Sequence, residues 1–261
     1  MHEPTAVLDV GALFEDFAPR VLAFCHRMLG DRTEAEDATQ ETFLKAHRAA
    51  RSFEAGCAPS TWLFAIARNT CLDRLRTRGL RTFDSLEALL AEAGTAPEGT
   101  AVDAARQVER TAYVEAVRDG CLTATLSALS PDQRAAFVLR VFCGLSTAEA
   151  ALVLRRTENA VRLLLHRART ALREFLCRSC SWYDAANECR CENLVDFSLA
   201  RGWIGPGDRR LPAAEVATAA ARAASLIEEA SRLTALYATL PGAELGAQAI
   251  TRIRDCLATA T

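Results

Sequence analysis

At 261 residues, half of them hydrophobic, the chain can bury real cores in two or three small domains and is not a disordered protein. Its formal charge is only −2, which excludes a whole-protein field that would pull it onto nucleic acid, so any polyanion site must be built locally from unevenly placed arginines. The opening MHEPTAVLDVGALFEDF carries acids where a signal peptide carries a basic flank, and no window approaches the roughly 20 apolar residues that span a bilayer, so the expectation is a cytoplasmic protein without membrane insertion.

Residues 11 to 29 place Phe14, Phe17, Val21, Cys25 and Met28 at helical spacing, with Gly30 as a stop. A second helix follows in EAEDATQETFLKAHRAAR, with Thr33 as N-cap and Glu36 three residues on, as in a capping box. The loop SFEAGCAPS breaks it, and STWLFAIARNTCLDRLRTR starts another helix capped by Ser60 or Thr61. This helical unit spans 10–80. Residues 81–112 lose periodicity and gain Gly, Pro and acid, which reads as a linker with at most one short helix.

The next unit, 113–176, is helical again, with breaks at Leu129-Ser130-Pro131, at Cys143 to Ser146 and at Arg155 to Thr157. Beyond it, residues 177–261 hold a cysteine cluster and a tail. In the tail Leu226, Ala230, Leu233, Tyr237 and Leu240 recur at helical spacing, and a last helix is expected over 245–258. The fold class is therefore all-α: two small helical domains, a linker between them, and a Cys-rich helical extension.

Within the second unit, one helix runs to Phe142, Gly144 makes a turn, a second helix is capped by Ser146, and a third is capped by Thr157. Helix, short glycine turn, helix is the layout that seats a recognition helix in a major groove. The third helix displays Glu158, Asn159, Arg162, Leu163, His166, Arg167 and Arg169 around an apolar seam of Val161, Leu165 and Ala168. In a groove its N-terminal residues would meet base edges and its later arginines phosphates. The alternative is an amphipathic hairpin with a solvated basic face.

These residues resemble region four of bacterial sigma factors, in particular the extracytoplasmic-function group. The matching positions are Leu129, Arg134, Phe137, Leu139, Arg140, Gly144, Leu145, Ser146, Glu149, Ala150, Val161, Arg162, Leu165, His166, Arg167, Ala168, Arg169 and Leu172. Leu164 departs from a position that is often basic in the family, which removes one candidate DNA contact.

LGDRTEAEDATQETFLKAHRA resembles region two of the same family, where an acidic and amide face grips the polymerase clamp helices. Asp37, Gln40 and Glu41 stand at i, i+3 and i+4 and share one face; ordinary helix solvation is the competing reading. The resemblance continues through STWLFAIARNTCLDRLRTRGLR. There Trp62, Asn69, Asp73 and Arg76 form one stripe, suited to stacking on and hydrogen bonding an unstacked base. By resemblance, the loop from Phe53 to Ser60 and the helix start would hold a flipped base of the −10 element. Asn69, Arg68, Arg74, Arg76, Arg78 and Arg81 would meet the DNA, while Trp62 serves either the base or the core.

The resemblance thus implies a subunit that binds core RNA polymerase, reads promoter DNA as duplex and melted strand, and performs no chemistry; it leaves room for an anti-sigma factor as a further partner. The competing functions are a helix-turn-helix regulator that never touches polymerase, against which the N-terminal match stands, and a small metal-dependent enzyme. Cys177, Cys180, Cys189 and Cys191 supply four thiols within fifteen residues, enough for a closed tetrahedral zinc site, with copper also suited to the C-x-C half. A structural zinc, a metal- or redox-responsive switch and no metal all remain open; four protein ligands would leave a zinc no free position for catalysis. Cysteine-rich tails in some members of the family carry C-x-W-x-D-x-x-N-x-C-x-C, which Cys180, Trp182, Asp184, Asn187, Cys189 and Cys191 match. Cys177 alternatively caps the helix before it. Cys25, Cys57, Cys71, Cys121, Cys143 and Cys256 are scattered and read as small core or surface residues.

Overall fold

In the computed structural model the described residues are 8–53, 56–78, 104–200, 204–205, 233, 237 and 245–259, and among them the regular structure is helical throughout. The helices are α1 (Val10–Leu29), α2 (Arg32–Ala49), α3 (Pro59–Arg78), α4 (Ala104–Ser127), α5 (Pro131–Val141), α6 (Thr147–Leu154), α7 (Glu158–Ser179), α8 (Val195–Ala200) and α9 (Ala247–Thr259). Single 3-10 turns follow α2 at Ala50–Ser52 and precede α8 at Cys191–Leu194.

Local chemistry sets most of the ends. Asp9 accepts from the Ala12 N–H at 3.0 Å, and Gly30, at φ 75°, turns the chain out of α1 in a left-handed conformation that costs glycine little. Ser130 with Gln133 and Ser146 with Glu149 form full capping boxes at the starts of α5 and α6. The hydroxyl and backbone N–H of Ser146 bind the Glu149 carboxylate and hold its pKa below the usual carboxylate value. Two starts differ from the sequence expectation. Asp31, not Thr33, caps α2, its carboxylate taking the Glu34 N–H at 2.8 Å, because an ionised acceptor at the dipole's positive end outcompetes a hydroxyl two residues on. α3 begins at Pro59, whose fixed φ suits a first helical position, so Ser60 and Thr61 lie inside the helix. α4 begins at Ala104 and so occupies the end of the expected linker, whose residues 81–103 lie outside the described ones.

The chain forms two compact units that cut across the expected division in chain order. The first holds 1–80, 130–166 and 242–261. In it Phe14 meets Phe43 edge-on at 5.0 Å and Phe24 meets Phe64 at 5.9 Å. Val21, Phe24, Met28, Phe43, Phe64 and Phe137 are fully buried, each worth about 2 kcal/mol of burial. α6 packs on α3, α5 on α1, and α9 on α2. Arginines complete these contacts. Arg134, nearly buried, donates to the Met28 carbonyl at 2.6 Å, and burial lowers its pKa to about 10. Arg20 donates to the Cys143 carbonyl, and Arg27 lies 5.0 Å over the Phe142 ring. On α9, Ile253 is fully buried and Arg254 makes a two-pronged pair with Glu15, at 3.0 Å to each oxygen.

The second unit holds 81–129 and 167–241. Its core joins Tyr113 and Val117 of α4 to Cys191, Val195 and Ile204. From the expected tail helix, Leu233 and Tyr237 are helical and buried, and the Tyr237 hydroxyl pairs with that of Thr125. Leu226, Ala230 and Leu240 lie outside the described residues.

Candidate nucleic-acid interface

On α2, Ala35, Ala38, Thr42 and Phe43 turn into the core, which leaves Asp37 exposed and Gln40 and Glu41 at the rim. The two carboxylates differ in state. Asp37 is exposed, whereas Glu41 accepts from Lys45 at 2.8 Å and from Arg74 of α3 at 3.0 Å. Partial burial alone would raise the Glu41 pKa, but hydrogen bonds and charge from Lys45 and Arg74 bring it below the usual value.

On α3, Trp62 is half-buried and meets Phe53 edge-on at 5.3 Å, so part of the indole is packed and part is exposed. Asn69 and Arg76 are exposed. Arg76 pairs with Asp73 at 3.2 Å, an exposed contact of little strength. Arg68 turns instead to Asp132 of α5, at 3.1 Å, and Arg156 takes that carboxylate's other oxygen at 3.0 Å. Burial would raise the Asp132 pKa, but its hydrogen bonds to Arg156 and Arg68 keep it below the usual carboxylate value. Arg78 closes α3, and its side chain, like Arg81, lies outside the described residues.

The helix-turn-helix forms from α6, a tight turn and α7. Arg155 takes the left-handed φ of 52° at the turn, and Thr157 caps α7 by accepting from the Ala160 N–H at 3.2 Å. Val161, Leu165 and Ala168 are buried as the apolar seam; Glu158, Asn159, Arg162, Leu163, His166 and Arg167 are exposed beside it, and Arg169 is half-buried. Arg162 is held by Glu158 at 2.7 Å and by Asn159 at 2.8 Å, so its guanidinium is aimed along the N-terminal turn of α7. A shallow concavity lined by Leu152, Arg155, Arg156, Thr157 and Ala160 adjoins that turn. The arrangement offers a cationic, partly apolar ridge of the kind that enters a groove.

The model described as Sigma-70 region 2 matches residues 13–81, and that described as Sigma-70, region 4 matches 119–172. The RNA polymerase sigma-H factor of Pseudomonas aeruginosa is 36% identical over 160 residues, which is 58% of this chain and 81% of that protein. The chain belongs to the RNA polymerase sigma factors, in the extracytoplasmic-function (ECF) group. The ECF RNA polymerase sigma factor SigG of Mycobacterium tuberculosis is 34% identical over 180 residues, covering 63% of this chain and 48% of SigG, so the chain spans about half the length of that relative. Among solved structures, the sigma factor RpoE of Bartonella quintana, in complex with the anti-sigma factor NepR, is 27% identical; the match covers 64% of this chain and 96% of that one with a TM-score of 0.45.

Both matched regions of the sigma factor end before the cysteine-rich segment, which is folded on α4. The backbones of Cys180 and Cys189 pair as an isolated parallel β-bridge, with both thiols free, and the Asn187 amide donates to the carbonyls of Cys177 at 2.9 Å and Cys180 at 3.1 Å, closing the end of α7. Asp184 accepts from the Ala186 N–H at 3.0 Å, and Arg118 of α4 lies 4.3 Å over the Trp182 ring. The motif's Asp, Asn and Trp thus shape and dock the segment. Cys177 does not cap α7; it lies within the helix, which runs on to Ser179, and its carbonyl is one of those Asn187 covers. Among the described residues no three His, Cys, Asp or Glu side chains stand as a ready metal-ligand set, so the structure does not gather Cys177, Cys180, Cys189 and Cys191 into one.

Three structural relationships were not readable from sequence: the Arg68–Asp132–Arg156 cluster, the buried Arg134, and the place of Cys121. Cys121 follows Tyr113 and Val117 at i+8 and i+4, which puts it on the face of α4 that meets the cysteine-rich segment. That spacing was the available signal.

Proposed function

We propose that this sigma factor binds core RNA polymerase through the α2 face centred on Asp37, directs it to promoters and helps open them, acting in the cytoplasm where polymerase and chromosome meet. The −10 element falls to α3, with Trp62 taking a base and Asn69, Arg74, Arg76 and Arg78 the strand. The −35 element falls to α7, through Glu158, Asn159, Arg162, Leu163, His166, Arg167 and Arg169. The observation that carries this reading is the presence of both sigma regions in order on one chain, each with its described contact residues outside the core. Neither region alone would suffice, because specific initiation needs one subunit that holds polymerase and two separate promoter boxes. The protein carries out no reaction itself. An anti-sigma factor is a further partner consistent with the family. We infer also that the cysteine-rich segment takes zinc as a structural ion, given its four soft donors.

The test is transcription from a genomic DNA library with the full chain and core polymerase. Defined start sites that vanish without the chain are expected; DNA binding without any effect on initiation would favour a plain helix-turn-helix regulator.

A further inference from the structure

The backbone sets Cys180 and Cys189 opposite one another although eight residues separate them in the chain. They pair as an isolated parallel β-bridge, in which the Ser181 N–H donates to the Cys189 carbonyl at 3.3 Å. The chain between them is a preformed loop. The Asn187 amide covers the carbonyls of Cys177 and Cys180 at 2.9 and 3.1 Å, and Arg190 donates to the carbonyls of Asn187 at 2.6 Å and Ala185 at 3.3 Å. Trp182, within the loop, lies against Arg118 of α4. Both thiols are free, and both residues are half-buried. Their neighbours are placed differently. Cys191 is buried among Tyr113 and Val117, and Cys177 lies inside α7, whose hydrogen bonding continues to the Cys180 N–H on the Leu176 carbonyl at 2.9 Å.

We propose that Cys180 and Cys189 are a thiol–disulfide modification site: peroxide joins them reversibly, clamping the loop at the end of α7, and leaves Cys177 and Cys191 as thiols. Neighbouring β-segments lie about 4.8 Å apart and directly paired residues share one face, which is inside the Cα separation of roughly 4.4–6.8 Å that a disulfide spans. Closure therefore needs side-chain rotation alone, the chain entropy of the loop having been lost in folding. One sulfur, as thiolate, attacks a peroxide oxygen and breaks the O–O bond, becoming a sulfenic acid while hydroxide leaves and takes up the thiol's proton as water. The second sulfur attacks the sulfenic sulfur, and hydroxide leaves again as water with the second proton. Two thiols and one hydrogen peroxide thus become one disulfide and two waters, the sulfurs losing the two electrons that the peroxide gains. Burial holds both thiols above the usual thiol pKa, so the reaction is slow and needs peroxide in excess. In a reducing compartment the bond is transient and a dithiol reopens it. This site goes beyond the polymerase reading and does not depend on it; because the disulfide takes two of the four sulfurs from any zinc, the oxidised and metal-bound segments exclude one another.

Trypsin separates the pair from its neighbours. Residues 179–190 form one peptide whose cysteines are Cys180 and Cys189, while Cys177 falls in 174–178 and Cys191 in 191–201. The full chain, purified anaerobically and freed of metal with a chelator, is treated with excess hydrogen peroxide, alkylated, digested and analysed by mass spectrometry. Peptide 179–190 is expected to be lighter by two hydrogens and unalkylated, with the other two peptides alkylated at their cysteines. Dithiothreitol before alkylation should restore both alkyl groups on 179–190. The same oxidation in urea should scatter the linkage among all four cysteines, because the fold no longer selects a pair. Links joining 174–178 or 191–201 to 179–190 in the folded chain, or the same scatter in buffer as in urea, would overturn the proposal. So would conversion of Cys180 and Cys189 to sulfinic acids without a disulfide, or two alkylated thiols after prolonged excess peroxide. Start-site selection by the chain with polymerase is a separate measurement, unaffected by any of these outcomes.

Discussion

Arg68 on α3 and Asp132 on α5 are joined at 3.1 Å, although 64 residues separate them. Arg68 is largely buried, at 14% side-chain exposure, and Asp132 is shared with the more exposed Arg156. Burial shields the Arg68 contact from solvent screening more than the Arg156 contact. Asp132→Asn should lower stability by about 1 kcal/mol near neutral pH. The pH dependence follows from the direction of the shift. The folded carboxyl titrates below its unfolded value, so its contribution is complete above the unfolded pKa of about 3.9 and is lost as pH falls through the folded value. Urea unfolding of both proteins should show a constant gap above about pH 5 that closes in more acid solution. A gap independent of pH would mean that the carboxylate's charge is not what matters.

Asp37 and Glu41 share a helix face, yet among the described residues only Glu41 is tied into the fold, by Lys45 and Arg74. Asp37→Lys should therefore abolish co-purification with core polymerase while moving stability by less than about 0.5 kcal/mol. Glu41→Lys should lose polymerase as well and in addition cost about 1 kcal/mol, since it leaves two cations facing a third. Polymerase binding by Asp37→Lys at wild-type affinity would refute the assignment of this face.

In the second unit the Tyr237 ring is fully buried and its hydroxyl meets Thr125 on α4. Tyr237→Phe keeps the ring and removes one buried hydrogen bond, leaving the Thr125 hydroxyl with the Leu122 carbonyl at 2.6 Å. The expected loss is about 1 kcal/mol by thermal unfolding. Tyr237→Ala should cost about 3–5 kcal/mol by adding a cavity. Equal, negligible effects would show that the tail does not pack on α4.

What was legible in the sequence was whatever is periodic or local. The helix stop at Gly30, the break at 129–131, the caps Ser146 and Thr157 and the apolar seam of α7 each depend on residues within a turn of one another, and each stands where that pattern places it. The cap of α2 was misplaced two residues late, at Thr33, because the spacing of Thr33 and Glu36 imitates a capping box, whereas Asp31 takes the Glu34 N–H. The sharing of one compact unit by α3 and α5 had no local signal. It rests on pairs such as Arg68 with Asp132 and Arg134 with the Met28 carbonyl, separated by 64 and 106 residues, and each arginine alone reads as a surface or DNA-facing cation.

Arg162 and Arg167 are both exposed cations on α7, but they differ in position and restraint. Arg162 lies near the helix start, aimed by Glu158 and Asn159, which is where a recognition helix meets base edges. Releasing those partners costs little, because the Arg162–Glu158 pair is itself solvent-exposed, with side chains at 59% and 47%. Arg162→Ala should therefore cost about 1–3 kcal/mol on the preferred −35 sequence and relax preference at one base position. Arg167 lies a turn and a half later, where the helix meets the backbone; Arg167→Ala should weaken binding to all sequences alike and reduce the slope of log K against log salt by about one. Glu158→Ala supplies the control: it frees Arg162 without removing it, so non-specific affinity should rise as one acid leaves the interface while preference at the Arg162 position falls. Fluorescence anisotropy with the full chain and polymerase on a single-base −35 substitution series, at two or more salt concentrations, measures all three. Identical specificity profiles for Arg162→Ala and Arg167→Ala would reverse the assigned orientation of α7 in the groove.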